Sequence, residues 1–104
     1  METYKVKISD LAQRDIKGIA TYIRDELLEP GFAESTTETI LNGIFTLESM
    51  PARVPLVRDE RLAAMQIRGL PIKNHIVFFR INENQKIVEV VRVLHSQQNW
   101  QAIL

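Results

Sequence analysis

Cysteine is absent from the 104-residue chain, and with it go disulfides, thiolate metal sites and cysteine nucleophiles. Long apolar runs are absent too. No stretch approaches the roughly 18 residues of a spanning helix, and the N-terminal METYKVKISD is charged where a signal peptide needs an apolar run. The expected location is the cytoplasm, away from membranes. Net charge is also lacking, because 13 basic residues balance 13 acidic ones, so no overall cationic field draws the molecule onto nucleic acid. No G-x-S-x-G, paired-carboxylate or phosphate-loop pattern occurs, which leaves a conventional hydrolase without its nucleophile. With two histidines and no cysteine, neither a metal nor a cofactor is expected. There is no internal repeat or low-complexity tract, and residues 1–104 read as a single domain.

What is present is an ordinary globular composition, 45% hydrophobic and 25% charged, enough for a modest core without metal or disulfide support. The charge is unevenly spread. Residues 1–60 hold seven Lys or Arg against eleven Asp or Glu, and residues 61–104 hold six against two, so the C-terminal half is the basic one. The acidic residues of the first 60 positions read as a solvated helical surface.

Tyr4, Val6 and Ile8 alternate with Lys5 and Lys7, the period of a half-buried strand. Ser9 offers an N-cap and Asp10 a first-turn charge, after which Leu11, Ala12, Ile16, Ile19, Ile23 and Leu27 predict a helix over about 10–28. Pro30 and Gly31 break it, glycine being suited to the positive φ of a tight turn. Phe32, Ala33, Ile40, Leu41, Ile44, Phe45 and Leu47 then predict a second helix to about 49, ended by Met50-Pro51. These two helices should form a hairpin. Residues 51–62 read as an exposed connector. Beyond it Ala64–Arg68, His75–Ile81 and Lys86–Leu94 read as strands. Gly69, Leu70 and Pro71 separate the first two, and a turn at 82–85 joins the last two. Residues 96–104 predict a short helix with Trp100 and Ile103 packed inward. The class is α+β: an N-terminal strand, a helical hairpin, a three-stranded antiparallel meander, helices on one sheet face and a short C-terminal helix.

Strand one, the hairpin, a short strand ending in Arg68, HIVFFRI at 75–81 and VEVVRVLHSQQNW at 88–100 together resemble the RelE/ParE superfamily of toxins from type II toxin–antitoxin systems. The sharpest part is Val91 to His95 followed by Asn99-Trp100. The resemblance implies a toxin of a plasmid-stabilisation or addiction module, causing growth arrest and neutralised by a cognate antitoxin that covers its groove. It implies one of two targets. RelE-like members cleave messenger RNA in the ribosomal A site without a metal; ParE-like members inhibit DNA gyrase.

RNA cleavage through the 2′-hydroxyl needs proton carriers and cations around the crowded phosphate. If the chain is RelE-like, Arg68, Arg80, Arg92 and His95 are the catalytic candidates, while Lys73, His75 and Trp100 are candidates for the antitoxin- or target-binding groove. Where RelE-like members carry further basic residues and a late aromatic hydroxyl, this chain has Ser96, Gln97, Gln98 and Ala102. Glutamine cannot neutralise a phosphate and alanine cannot move a proton. That departure, the neutral net charge and the long hairpin favour the ParE-like reading, with the ribosome-dependent endoribonuclease as alternative. An inert relative or interaction module would share the fold.

Each candidate also has a structural role open to it. His95 either carries a proton or caps the sheet, and His75 reads as a sheet histidine. Arg92 shares a face with Val88, Val90 and Leu94 under strict alternation, costly unless it pairs with an acid or lines the groove. The same alternation sends His95 to the opposite face unless a bulge intervenes. A four-residue turn at 82–85 would pair Arg80 with Ile87 and His75 with Arg92, placing Arg80 and Arg92 on one basic surface. Trp100 should pack the tail onto the sheet.

Overall fold

The computed structural model describes residues 3–104. Strand β1 (Lys5–Ile8) leads into α1 (Asp10–Thr21), which continues as a π-helical turn over Tyr22–Glu26. Ser9 caps α1 as its position predicts, its Oγ accepting the Ala12 N–H at 3.0 Å. The hairpin bend uses Leu28, whose φ is 54°, and no glycine has a positive φ. Gly31 therefore does not make the reversal. Pro30 instead occupies the first turn of α2 (Pro30–Phe45), where its missing N–H costs no helical bond. A 3₁₀ turn over Thr46–Glu48 extends α2.

The expected connector and the expected strand at 64–68 are both revised. Asp59 Oδ1 accepts the Leu62 N–H at 3.0 Å, capping a short helix, α3 (Glu60–Ala64), that buries Leu62 completely. The strand begins only where this helix has ended, as β2 (Arg68–Ile72), so Gly69, Leu70 and Pro71 belong to it. β2 is an edge strand, the place where proline's absent donor is tolerated. The break before β3 (His75–Asn82) falls at Lys73, in the left-handed region at φ 53°.

A turn then leads into β4 (Ile87–His95), and α4 (Trp100–Ile103) closes the chain. The sheet order is β1-β4-β3-β2, with β1 parallel to β4 and the other pairs antiparallel. The meander is as read, while β1 joins it from the far side. Among the described residues no helix is long and apolar enough to cross a membrane.

The register departs from the one a turn at 82–85 implies. Arg80 pairs with Glu89 instead of Ile87, and His75 with His95 instead of Arg92. β3 runs on to Asn82 before turning, and a bulge opposite Phe78 and Phe79 inserts Val91 as an extra residue. The bulge also changes the faces. Val88, Val90 and Val93 pack under the helical hairpin with Val77 and Phe79, whereas Leu94 joins Phe78 on the opposite face. Strict alternation along β4, which grouped Leu94 with Val88 and Val90, is thereby broken.

The hairpin face is the larger core, filled by Ala12, Ile16, Ile40, Ile44 and Leu47 against the sheet. At Gly43 α2 comes so close to β2 that an added Cβ would collide with Ile72. On the other face Leu62 and Ile67 cover Phe78 and Leu94, and Trp100 completes the layer with its ring 5.3 Å from that of Phe78. Trp100 thus packs inward as expected. Ile103 does not, and stays 40% exposed.

Candidate functional site

Between α1, α2 and the C-terminal end of β4 lies a cleft of about 740 Å³. Its apolar wall comes from the hairpin, where Tyr22, Leu27 and Phe32 remain half exposed. Its polar side carries Arg14, Lys73, His75, Arg92, His95 and Gln98.

Arg92 is held from α1. Its Nε and Nη2 donate to the two carboxylate oxygens of Asp15 at 2.8 and 2.9 Å, and the Val93 N–H donates to the same carboxylate at 2.9 Å. Side-chain exposure is 23% for Arg92 and 13% for Asp15, so water screens the pair weakly. The Asp15 carboxylate, chiefly through its hydrogen bonds, raises the Arg92 pKa above the usual guanidinium value. Pairing and cleft lining, posed as alternatives for Arg92, are both realised. Asp15 does not belong to a merely solvated helical surface.

His75 and His95 face each other across β3 and β4. The Val93 N–H points away from β3 towards Asp15, so Val77–Val93 and, two residues on, His75–His95 are non-hydrogen-bonded pairs, in which side chains approach most closely. Their rings meet edge to face at 5.3 Å. His95 Nδ1 accepts the Gln97 N–H at 3.1 Å, which places the proton of the neutral ring on Nε2. His95 therefore both ends the sheet and offers a donor to the cleft.

Burial, and secondarily the nearby His95, lowers the His75 pKa. The folded state thus resists protonating His75 while the unfolded chain titrates near 6.5. The neutral imidazole's contribution to stability is fully present above that value and is lost as pH falls through the depressed folded pKa. We expect melting temperature to fall on acidification below about pH 6.5, and less steeply in His75→Gln. An identical pH profile in that variant would contradict the assignment.

The remaining candidates are dispersed. Arg68 donates to the carbonyl oxygens of Val54 at 2.6 Å and Ala52 at 3.4 Å, tying β2 to the preceding loop. Arg80 is exposed beside Glu83 and Glu89 at the far end of the hairpin β3–β4, so it shares no basic surface with Arg92. Trp100 stands on the sheet face opposite the hairpin core. The cleft therefore gathers Lys73, His75, Arg92 and His95 and leaves out Arg68, Arg80 and Trp100. Sequence reasoning missed Asp15, Arg14 and Gln98. Only Gln98 left a trace, as the neutral residue in a place where basic ones were sought.

This arrangement, a helical hairpin over a mixed four-stranded sheet with a half-apolar cleft at the end of the last strand, defines the class as a small two-layer α+β sandwich. Residues 6–100 match the family model described as ParE toxin of type II toxin–antitoxin system, parDE; the chain belongs to that family. Its fold is similar to that in the chromosomal ParDE toxin–antitoxin system of P. aeruginosa, with a TM-score of 0.76 and 16% identity over 91% of this chain and 98% of that one. It is also similar to the RelBE2 toxin–antitoxin complex of Mycobacterium tuberculosis, with a TM-score of 0.65 and 21% identity over 91% and 93%. The archaeal RelE–RelB complex of Pyrococcus horikoshii OT3 gives 0.63 and 13% over 92% and 98%. No curated protein matches the chain in sequence.

Proposed function

We propose that this toxin arrests growth by inhibiting DNA gyrase, in the manner the ParE-like resemblance implies, and that a cognate antitoxin neutralises it within a plasmid-stabilisation type of module. The observation that carries the choice of target is the state of the cations. RNA cleavage without a metal requires several of them free around one phosphate. Of the candidate arginines Arg68, Arg80 and Arg92 only Arg92 reaches the cleft, where Asp15 compensates its charge at 2.8 Å and Arg14 and Lys73 are the other cations. The family match over 6–100 supports the same side.

The endoribonuclease reading keeps one observation in its favour, the meeting of Lys73, His75 and His95 in a single cleft. One experiment separates the two. After induced expression, we expect growth arrest with intact messenger RNA, and purified toxin should inhibit gyrase supercoiling in vitro. Ribosome-dependent messenger cleavage that disappears in His95→Ala or Lys73→Ala would replace gyrase with the ribosome. Growth without any defect would remove toxicity altogether. Neutralisation is tested by co-expressing the small protein encoded beside the toxin, which should restore growth.

A further inference from the structure

The chain passes from the sheet to its tail through a turn knotted around His95. His95 Nδ1 accepts the Gln97 N–H at 3.1 Å, its carbonyl accepts the Gln98 N–H at 3.0 Å, and its own N–H donates to Gln98 Oε1 at 2.8 Å. The Ser96 N–H donates to the Asn74 carbonyl at 2.8 Å, and the Gln98 carbonyl accepts the Trp100 N–H, the first of α4, at 2.8 Å. One turn therefore fixes both the end of β4 and the start of α4. Of these bonds only the one to Nδ1 depends on an atom that titrates near neutral pH. Gln98 within the turn and Ile103 beyond it form the tail side of the cleft.

We infer that residues 95–98 form a latch that acid opens: a proton on His95 Nδ1 turns the acceptor into a donor, expels the Gln97 N–H and loosens the turn that carries the tail side of the cleft. The neutral ring keeps its proton on Nε2 and leaves Nδ1 free to accept, whereas imidazolium has a donor at each nitrogen and no acceptor. Two donors then face each other across what had been a hydrogen bond. Imidazole changes charge between about pH 5 and 8, and the latch responds in that interval.

The surroundings give the imidazolium no compensation. Among the described residues, the charged and titratable groups that line the cleft with His95 are Arg14 and Asp15 of α1, Tyr22 of the π-helical turn, Lys73 before β3, His75 of β3 and Arg92 of β4. Arg14 and Lys73 are cations, and the one carboxylate, Asp15, is engaged by Arg92 and the Val93 N–H. His75 lies edge to face at 5.3 Å. Burial, and then the neighbouring His95, keeps the His75 pKa below its usual value, so His95 is the ring of the pair that takes the first proton. With no anion to hold that proton on the closed turn, the loosened turn, in which the ring reaches water, binds it more tightly. By linkage the latch is closed above the imidazole range and opens as pH falls through it.

The test follows amide hydrogen exchange and imidazole ¹⁵N shifts in the full-length toxin, each exchange rate being divided by that of an unstructured chain at the same pH. From about pH 7.5 to about pH 5.5, protection of the Gln97 amide should fall about tenfold and that of Trp100 with it, while Val93, held by Asp15, changes by less than about twofold. Over the same interval the His95 Nδ1 shift should move from that of an acceptor to that of a protonated nitrogen. In His95→Asn the side-chain oxygen takes the place of Nδ1 and does not titrate, so Gln97 protection should stay level. His75→Gln should keep the wild-type fall. The inference is overturned by Gln97 protection that stays level in the wild type, by an equal fall in His95→Asn, by a fall that vanishes in His75→Gln, or by an Nδ1 that is still an acceptor at about pH 5.5. The first and last of these are read on the wild type and do not depend on a variant folding. None involves gyrase, so the latch and the proposed target stand or fall separately.

Discussion

Replacing Asp15 with alanine is expected to destabilise the toxin by roughly 3 kcal/mol, the range for removing one partner of a mostly buried ion pair. Three hydrogen bonds converge on this carboxylate, two from Arg92 and one from the Val93 N–H. Its loss strands a guanidinium whose side chain is 23% exposed and leaves a backbone donor without its acceptor. For a domain of this size the melting temperature should fall on the order of 10–15 °C. Asp15→Asn, which keeps an oxygen for Val93 but not the charge, should lie between the two. Combining Asp15→Ala with Arg92→Leu should recover part of the loss, because the uncompensated cation is gone and an apolar side chain can fill its place. A double variant no more stable than Asp15→Ala would show that the backbone bond to Val93, not the charge pair, carries the effect.

Phe78→Ala is expected to be still more damaging, at about 4 kcal/mol. Phe78 is completely buried between the sheet and the C-terminal tail, against Leu62, Leu94 and Trp100. A domain with a total stability of about 5–15 kcal/mol would be left close to its unfolding threshold. The chain has one tryptophan, so its fluorescence reports this place alone. Emission should move to longer wavelength at temperatures where the helical signal of α1 and α2 persists, because Trp100 loses its ring contact before the hairpin core melts. Unchanged emission in a folded variant would contradict the packing described here.

The elements that packed locally were legible in the residues themselves. Ser9 and the alternation before it placed β1 and the start of α1, and the Val, Ile and Phe of HIVFFRI placed β3, whose consecutive Phe78 and Phe79 are both buried. The bulge leaves only a faint trace in the residues: the apolar–charged–apolar runs Val88–Val90 and Val91–Val93 meet out of phase at Val90-Val91, and one such shift does not by itself fix an extra residue there. Helix α3 was hidden for a different reason: five residues are too few to display a 3.6-residue period, and only Asp59 signalled its start. At the site, the histidines and Lys73 were found by residue type. Asp15 was not, because its meaning depends on a residue 77 positions away, and nothing local distinguishes it from the other acids of the hairpin.

The pairing of the first strand with the last also governs when the toxin comes into being during synthesis. β1 finds its neighbour only when Ile87 to Val90 exist, and the cleft needs Arg92 to His95 as well. Such a distant closure is slow to form and cannot be anticipated by a partial chain. Every nascent or prematurely terminated product lacking β4 therefore lacks the cleft, which exists only in chains translated through His95.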